Sequence, residues 1–193
     1  MLDNLHSYHI ILASGSPRRK ELLSGIGIDY EVKLLPDIDE SYPQSLTGEE
    51  IPIFIAKEKA AAYQQQMKSD ELIITADTIV WIDNKVLGKP HSEEEAKAML
   101  RLLSGKTHQV ITGVCLTTTN FQRSFATTSE VTFTTLSETE IEHYVNDYHP
   151  MDKAGAYGIQ EWIGYIGVES IKGSYFNVMG LPVQRLYREL KKL

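Results

Sequence analysis

Short apolar runs alternate along this chain with stretches where apolar residues return every three or four positions, the periods of strands and helices. Residues 9–13 (His-Ile-Ile-Leu-Ala) predict a strand; Ser16 then offers a helix cap, with Pro17 at the first helical position, where a missing N–H costs nothing. Leu22, Leu23 and Ile26 share one face of that helix, which breaks near Gly25 and Gly27. Residues 30–35 alternate as a strand does, and Thr47 with Glu50 predicts a capping box opening a helix to about Gln66. Ile51, Ile55 and Ala62 point inward from it, and Pro52, within its first turns, can bend it. Residues 72–76 predict a strand closed by Asp77; residues 79–82 continue it or pair with it, before a turn at Asp83-Asn84. Ser92 with Glu95 opens a helix stopped by Gly105, and residues 107–135 predict one long β-hairpin with Asn120 near its middle. Ser137 with Glu140 caps a helix ending near Pro150. Gly155, Gly158, Gly164 and Gly167 predict a loop and short strands, and Pro182 opens a C-terminal helix with Leu186 and Leu190 inward.

Helices and strands that alternate around an inserted hairpin fit a mixed α/β (α+β) fold better than an all-parallel sheet. No repeat or linker divides the 193 residues, so one compact domain spanning 1–193, with room for two lobes, is expected. A hydrophobic content of 42% with 23% charged residues suits a globular protein, and a formal net charge of -7 argues against bulk nucleic-acid binding. A local basic pocket for a small phosphate ligand stays open. The single cysteine, Cys115, excludes an intrachain disulfide and a Cys-rich zinc site, and its apolar surroundings make it a buried hydrophobe. No apolar stretch reaches the roughly 18 residues of a membrane span. The first residues lack the basic and apolar regions of a signal peptide, so a cytoplasmic location is expected.

Two segments carry the chemistry. In Ser14-Gly15-Ser16-Pro17-Arg18-Arg19, backbone N–H groups at a helix start, two hydroxyls and two guanidinium groups suit an anion; a plain strand-to-helix turn with solvated arginines is the alternative. In Thr75-Ala76-Asp77-Thr78, a carboxylate within apolar surroundings must face solvent, a cation or a metal, unless it only caps the next turn. Lys89 sits in a stiff Gly/Pro loop, Asp37, Asp39 and Glu40 form an acidic loop able to ligate a divalent ion or simply be solvated, and Gln160 ends a glycine-bearing segment with an amide that can both donate and accept. Gly105-Lys106-Thr107 is no Walker A loop: Leu100 stands where the first glycine belongs, and the segment ends a helix rather than starting one. The six histidines lack ligand spacing.

In order along the chain stand residues 13–19, Asp39-Glu40, Glu58-Lys59-Ala60, Ala76-Asp77-Thr78, Gly88-Lys89-Pro90, residues 103–108, residues 152–160 and Gly180-Leu181-Pro182. This set closely resembles the Maf family of nucleoside triphosphate pyrophosphatases over nearly the whole chain. The resemblance implies a fold akin to the inosine-triphosphate pyrophosphatases, with a strongly bent mixed sheet and a deep cleft between two lobes. It implies hydrolysis of a nucleoside triphosphate to the monophosphate and pyrophosphate with Mg²⁺ or Mn²⁺. The branch-determining positions read Arg18, Thr78 and Gln160, similar to the branch acting on dTTP and UTP; the 7-methyl-GTP branch carries Trp, Gln and Glu there. By the same resemblance, Ser14, Arg19, Lys59 and Lys89 hold the triphosphate. Glu40 and Asp77 hold the metal, with Asp77 also orienting or deprotonating water, and Gln160 reads the base in a pocket shaped by Arg18 and Thr78. A homodimer is implied too, as is a house-cleaning role linked to cell-division arrest. The alternatives are a pyrophosphatase for purine or modified nucleotides and a non-catalytic nucleotide-binding regulator of septum formation.

Overall fold

The computed structural model describes residues 2–193. Two compact units share the chain: the first runs up to Asp77 and takes in Thr112–Thr127 and Gly180–Leu193, and the second comprises Thr78–Ile111 and Thr128–Met179. The strands are β1 (His9–Leu12), β2 (Glu31–Val32), β3 (Glu71–Ile82), β4 (Lys85–Leu87), β5 (Thr107–Thr117), β6 (Gln122–Phe133) and β7 (Val168–Lys172). They form one mixed sheet in the order β2-β1-β3-β5-β6-β7, with β4 paired to β3. β1 runs parallel to both β2 and β3, while β3–β4 and β6–β7 are antiparallel. The helices are α1 (Pro17–Gly25), α2 (Glu50–Gln64), α3 (Glu93–Leu103), α4 (Glu138–Tyr148), α5 (Trp162–Gly167), α6 (Tyr175–Met179) and α7 (Val183–Leu190). Among the described residues no helix is long and apolar enough to cross a membrane.

Local chemistry sets the helix boundaries. Ser16 caps α1 by accepting from the Arg19 N–H, with Pro17 inside the first turn, and the Ser137–Glu140 box on α4 closes in both directions. Ser92 accepts from the Glu95 N–H, while the Glu95 carboxylate accepts from the His91 N–H instead of completing a box. Leu186 and Leu190 of α7 are fully buried, as is Cys115.

Four local expectations need correction. Thr47 does not cap α2: the Glu50 carboxylate accepts from its N–H and hydroxyl, but Gly48 at φ +51° lies outside helical geometry, so the helix starts at Glu50 and ends at Gln64. The strand expected over 30–35 is only Glu31–Val32, because just two residues there register against β1. Gly164 and Gly167 belong to the short helix α5 rather than to a loop. Asp77 does not close its strand: β3 runs through it to Ile82, twelve residues in all, so residues 79–82 continue the strand. Leu72, Ile73, Ile74, Ile79, Val80 and Ile82 are all buried, and at about 2 kcal/mol each their burial is worth on the order of 10 kcal/mol. That outweighs the several kcal/mol of placing one carboxylate within the strand, provided the carboxylate is paired.

In the second unit, His108 of β5 is buried with its Nε2 2.7 Å from the Tyr157 hydroxyl and its ring edge-on to Phe133 and Tyr157. Burial lowers its pKa from 6.5 to about 4. The unfolded chain therefore takes up this proton at higher pH than the folded one, so stability falls as pH drops from 6.5 towards 4, by about 3 kcal/mol in all. Urea unfolding at stepped pH should give this slope, and His108→Gln should remove it. An unchanged slope in the variant would assign the acid sensitivity to another group.

Candidate active site

In the first unit, the turn from β1 into α1 is built around Arg19. Its Nε donates to the Gly180 carbonyl at 2.9 Å, and its Nη1 donates to the Ala76 carbonyl at 2.9 Å and to Ser14 Oγ at 3.3 Å. One guanidinium thus joins the loop after β1, the middle of β3 and the segment before α7. Burial draws the Arg19 pKa below its ordinary value while the neighbouring Asp77 carboxylate opposes the drop; a guanidinium stays charged at neutral pH throughout. Ser14 is buried and also accepts from the Ser16 N–H at 3.3 Å, which leaves its hydroxyl hydrogen as the group it can donate. Arg18 lies beside Arg19 at the start of α1, close enough to oppose its charge.

Asp77 sits in the middle of β3 on the face that bears Thr75, since side chains two apart share a face. Thr75 donates its hydroxyl to the Ala56 carbonyl of α2 at 2.7 Å, and three residues further along α2 comes Lys59. The Lys59 Nζ is 2.9 Å from Asp77 Oδ1 and 2.9 Å from Glu40 Oε1. Lys59 and Asp77 are both nearly buried at 12% and 13% side-chain exposure, whereas Glu40 is half exposed at 50%, so the ammonium faces one inner and one outer acid. The adjacent Asp39 behaves differently: its carboxylate accepts from the Ser41 N–H and hydroxyl, which hold its pKa below the usual range and commit it to the loop.

Two hard carboxylates converging on one cationic point suit Mg²⁺ or Mn²⁺, which takes one or two protein carboxylates and completes its shell with phosphate oxygens and water. Among the described residues no cluster of three or more acidic, histidine or cysteine side chains offers a self-sufficient metal cage. Glu40 and Asp77 fit such an ion only if the rest of its shell comes from outside these two side chains.

Thr78, Lys89 and Gln160 belong to the second unit. Thr78 follows Asp77 on β3 and points to the opposite face. Lys89 is exposed in the loop after β4, and the Gly88 carbonyl before it accepts from the Gly155 N–H at 3.0 Å, tying that loop to the 152–160 segment. Gln160 is partly buried, and its Oε1 is buried without a hydrogen-bond partner among the described residues.

The structure thus gathers Ser14, Arg19, Glu40, Lys59 and Asp77 in one unit, with Arg18 alongside, and links the Lys89 and Gln160 loops in the other. Sequence reading did not find the Ala76 and Gly180 carbonyls that hold Arg19. The Gly-Leu-Pro segment at 180–182 marked the region, but nothing in it named a partner. It also did not find Tyr144 of α4, whose hydroxyl contacts the turn carrying Gln160.

A family model described as Maf-like protein matches residues 9–193. A protein named dTTP/UTP pyrophosphatase from Phocaeicola vulgatus is 70% identical over 193 residues, covering 100% of both chains. Another of that name from Bacteroides thetaiotaomicron is 67% identical over the same span, again covering 100% of each. Among solved structures, a HAM1 protein from Coxiella burnetii is similar in fold, with a TM-score of 0.51 at 17% identity over 96% of this chain and 100% of that one. With a family match across nearly all its residues and relatives this similar along their whole length, the chain belongs to the Maf family.

Proposed function

We propose that this protein hydrolyses dTTP and UTP to the nucleoside monophosphate and pyrophosphate, acting as a cytoplasmic house-cleaning enzyme in one catalytic domain spanning 1–193. The observation that carries the reaction is the Lys59 ammonium 2.9 Å from both Glu40 and Asp77, with Arg19 bound to the carbonyl next to Asp77. The choice of base rests on relatives 66–70% identical over the full chain that are named dTTP/UTP pyrophosphatases. A homodimer also belongs to this reading.

Attack of water on the innermost phosphorus requires neutralised phosphate oxygens and an aligned nucleophile. Lys59 and Lys89 supply mobile ammonium charges for the triphosphate, and Ser14 donates its hydroxyl. Arg19, with Nε and Nη1 already donating to protein acceptors, sets the shape and positive potential of the loop and engages phosphate from that fixed position. Asp77 orients the attacking water and accepts its proton. A divalent ion held by Glu40 and Asp77 would supply further charge neutralisation at the phosphates. Thymine and uracil present an N–H donor beside a carbonyl acceptor. The buried Gln160 Oε1 can accept from that N–H while its amide nitrogen donates to the carbonyl, and Arg18 and Thr78 shape the pocket. Cytosine reverses both groups and would leave a buried polar pair mismatched.

With Mg²⁺, dTTP or UTP should yield monophosphate and pyrophosphate in equal amounts, and Asp77→Asn should lower the rate about 100-fold or more with an unchanged circular dichroism spectrum. Orthophosphate and nucleoside diphosphate as products would refute the reaction type, and tight binding without turnover would favour a regulator. Lys59→Met leaves Glu40 and Asp77 without their shared ammonium and should lower the stability of the metal-free protein by about 2 kcal/mol. Mn²⁺ should restore much of that loss in urea unfolding; no recovery would remove the ion from between these two acids.

A further inference from the structure

Gln160 lies inside a tight turn in which the Glu161 N–H donates to the Gly158 carbonyl at 3.0 Å. One side chain from a different element grips both ends of that turn. The Tyr144 hydroxyl, fully buried on α4, accepts from the Gly158 N–H at 2.9 Å and donates to Glu161 Oε2. The other Glu161 oxygen lies 3.0 Å from the Nζ of Lys153, a lysine only 7% exposed, which is also 2.7 Å from Asp152. Both side chains pack close over Gly158, where a Cβ would stand 2.8 Å from Glu161 Cδ and 3.0 Å from Lys153 Cε. Burial and the Glu161 carboxylate both push the Tyr144 pKa upward, so the phenol keeps the proton it donates.

We infer that Tyr144, together with Glu161 and Lys153, is a positioning device for base selection that fixes the turn carrying Gln160 without touching the nucleotide. This rests on the proposed role of Gln160 as the base reader. A phenol held at both of its polar functions permits little displacement of Gly158 and Glu161 on either side of the turn, and an amide reads a base edge only when its oxygen and nitrogen are held in register with it. Tyr144 lies outside all the motif segments, which explains why the motifs alone do not reveal it.

The test compares kcat and KM for dTTP and dCTP in the wild type, Tyr144→Phe, Gln160→Ala and the double variant. Tyr144→Phe should lower the dTTP-over-dCTP ratio of kcat/KM about tenfold, the equivalent of one good hydrogen bond, mainly through a higher KM for dTTP. Because Tyr144 acts through Gln160, adding Tyr144→Phe to Gln160→Ala should lower the ratio no further. A wild-type ratio in Tyr144→Phe, while Gln160→Ala loses discrimination, overturns the inference and leaves the base reader in place. An additive loss in the double variant also overturns it. Unchanged ratios in both single variants remove Gln160 from the base site and the inference with it. Should Tyr144→Phe fail to fold, Glu161→Gln, which keeps an acceptor for the phenol but drops the charge facing Lys153, should shift the ratio in the same direction by a smaller factor; a wild-type ratio there overturns the inference.

Discussion

A carboxylate in the middle of a buried strand is the constraint from which the site follows. A carboxylate placed within β3 calls for partners of opposite charge, and the two that meet Asp77 come from different parts of the first unit. Lys59 arrives because α2 packs across the same strand face, anchored by the bond from Thr75 to the Ala56 carbonyl. Arg19 arrives because its fork is clamped by the backbone at Ala76 and Gly180. The apolar burial of β3 holds the acid in place, and the Lys59 ammonium and the nearby Arg19 guanidinium compensate its charge.

The charged residues divide into those tied to backbone and those paired by side chains alone. Arg19 and Asp39 are tied to backbone and hydroxyl partners and shape their loops. Lys59 instead joins two acids by side-chain contacts alone, and a lysine head on a flexible stem can exchange one anionic partner for another more readily than a clamped guanidinium. Under the proposed function, a triphosphate with its metal would offer Lys59 new oxygen partners and would offer Glu40 and Asp77 a new cation. A site poised for such an exchange needs both acids to be near each other beforehand, and the ammonium between them provides that.

Much of this was legible in the chain. The caps at Ser16, Ser92 and Ser137 and the apolar faces of α1 and α7 follow from local chemistry, which is where sequence reading is strongest. Asp77 and Lys59 stand in separate motif segments, and the family resemblance those segments carry implied a shared role. What stayed hidden depends on contacts distant in sequence. The partners of Arg19 are bare carbonyls, and Tyr144 reads as an ordinary core aromatic of an amphipathic helix. The start of α2 was misplaced because the Thr47–Glu50 contact forms without the helical backbone that normally accompanies it.

The most direct measurement is a single turnover of dTTP in ¹⁸O-labelled water, with both products weighed by mass spectrometry. If Asp77 directs water at the innermost phosphorus, the heavy oxygen appears in the thymidine monophosphate and the pyrophosphate stays unlabelled. Label in the pyrophosphate would mean that water attacks further along the chain of phosphates, and would contradict the account.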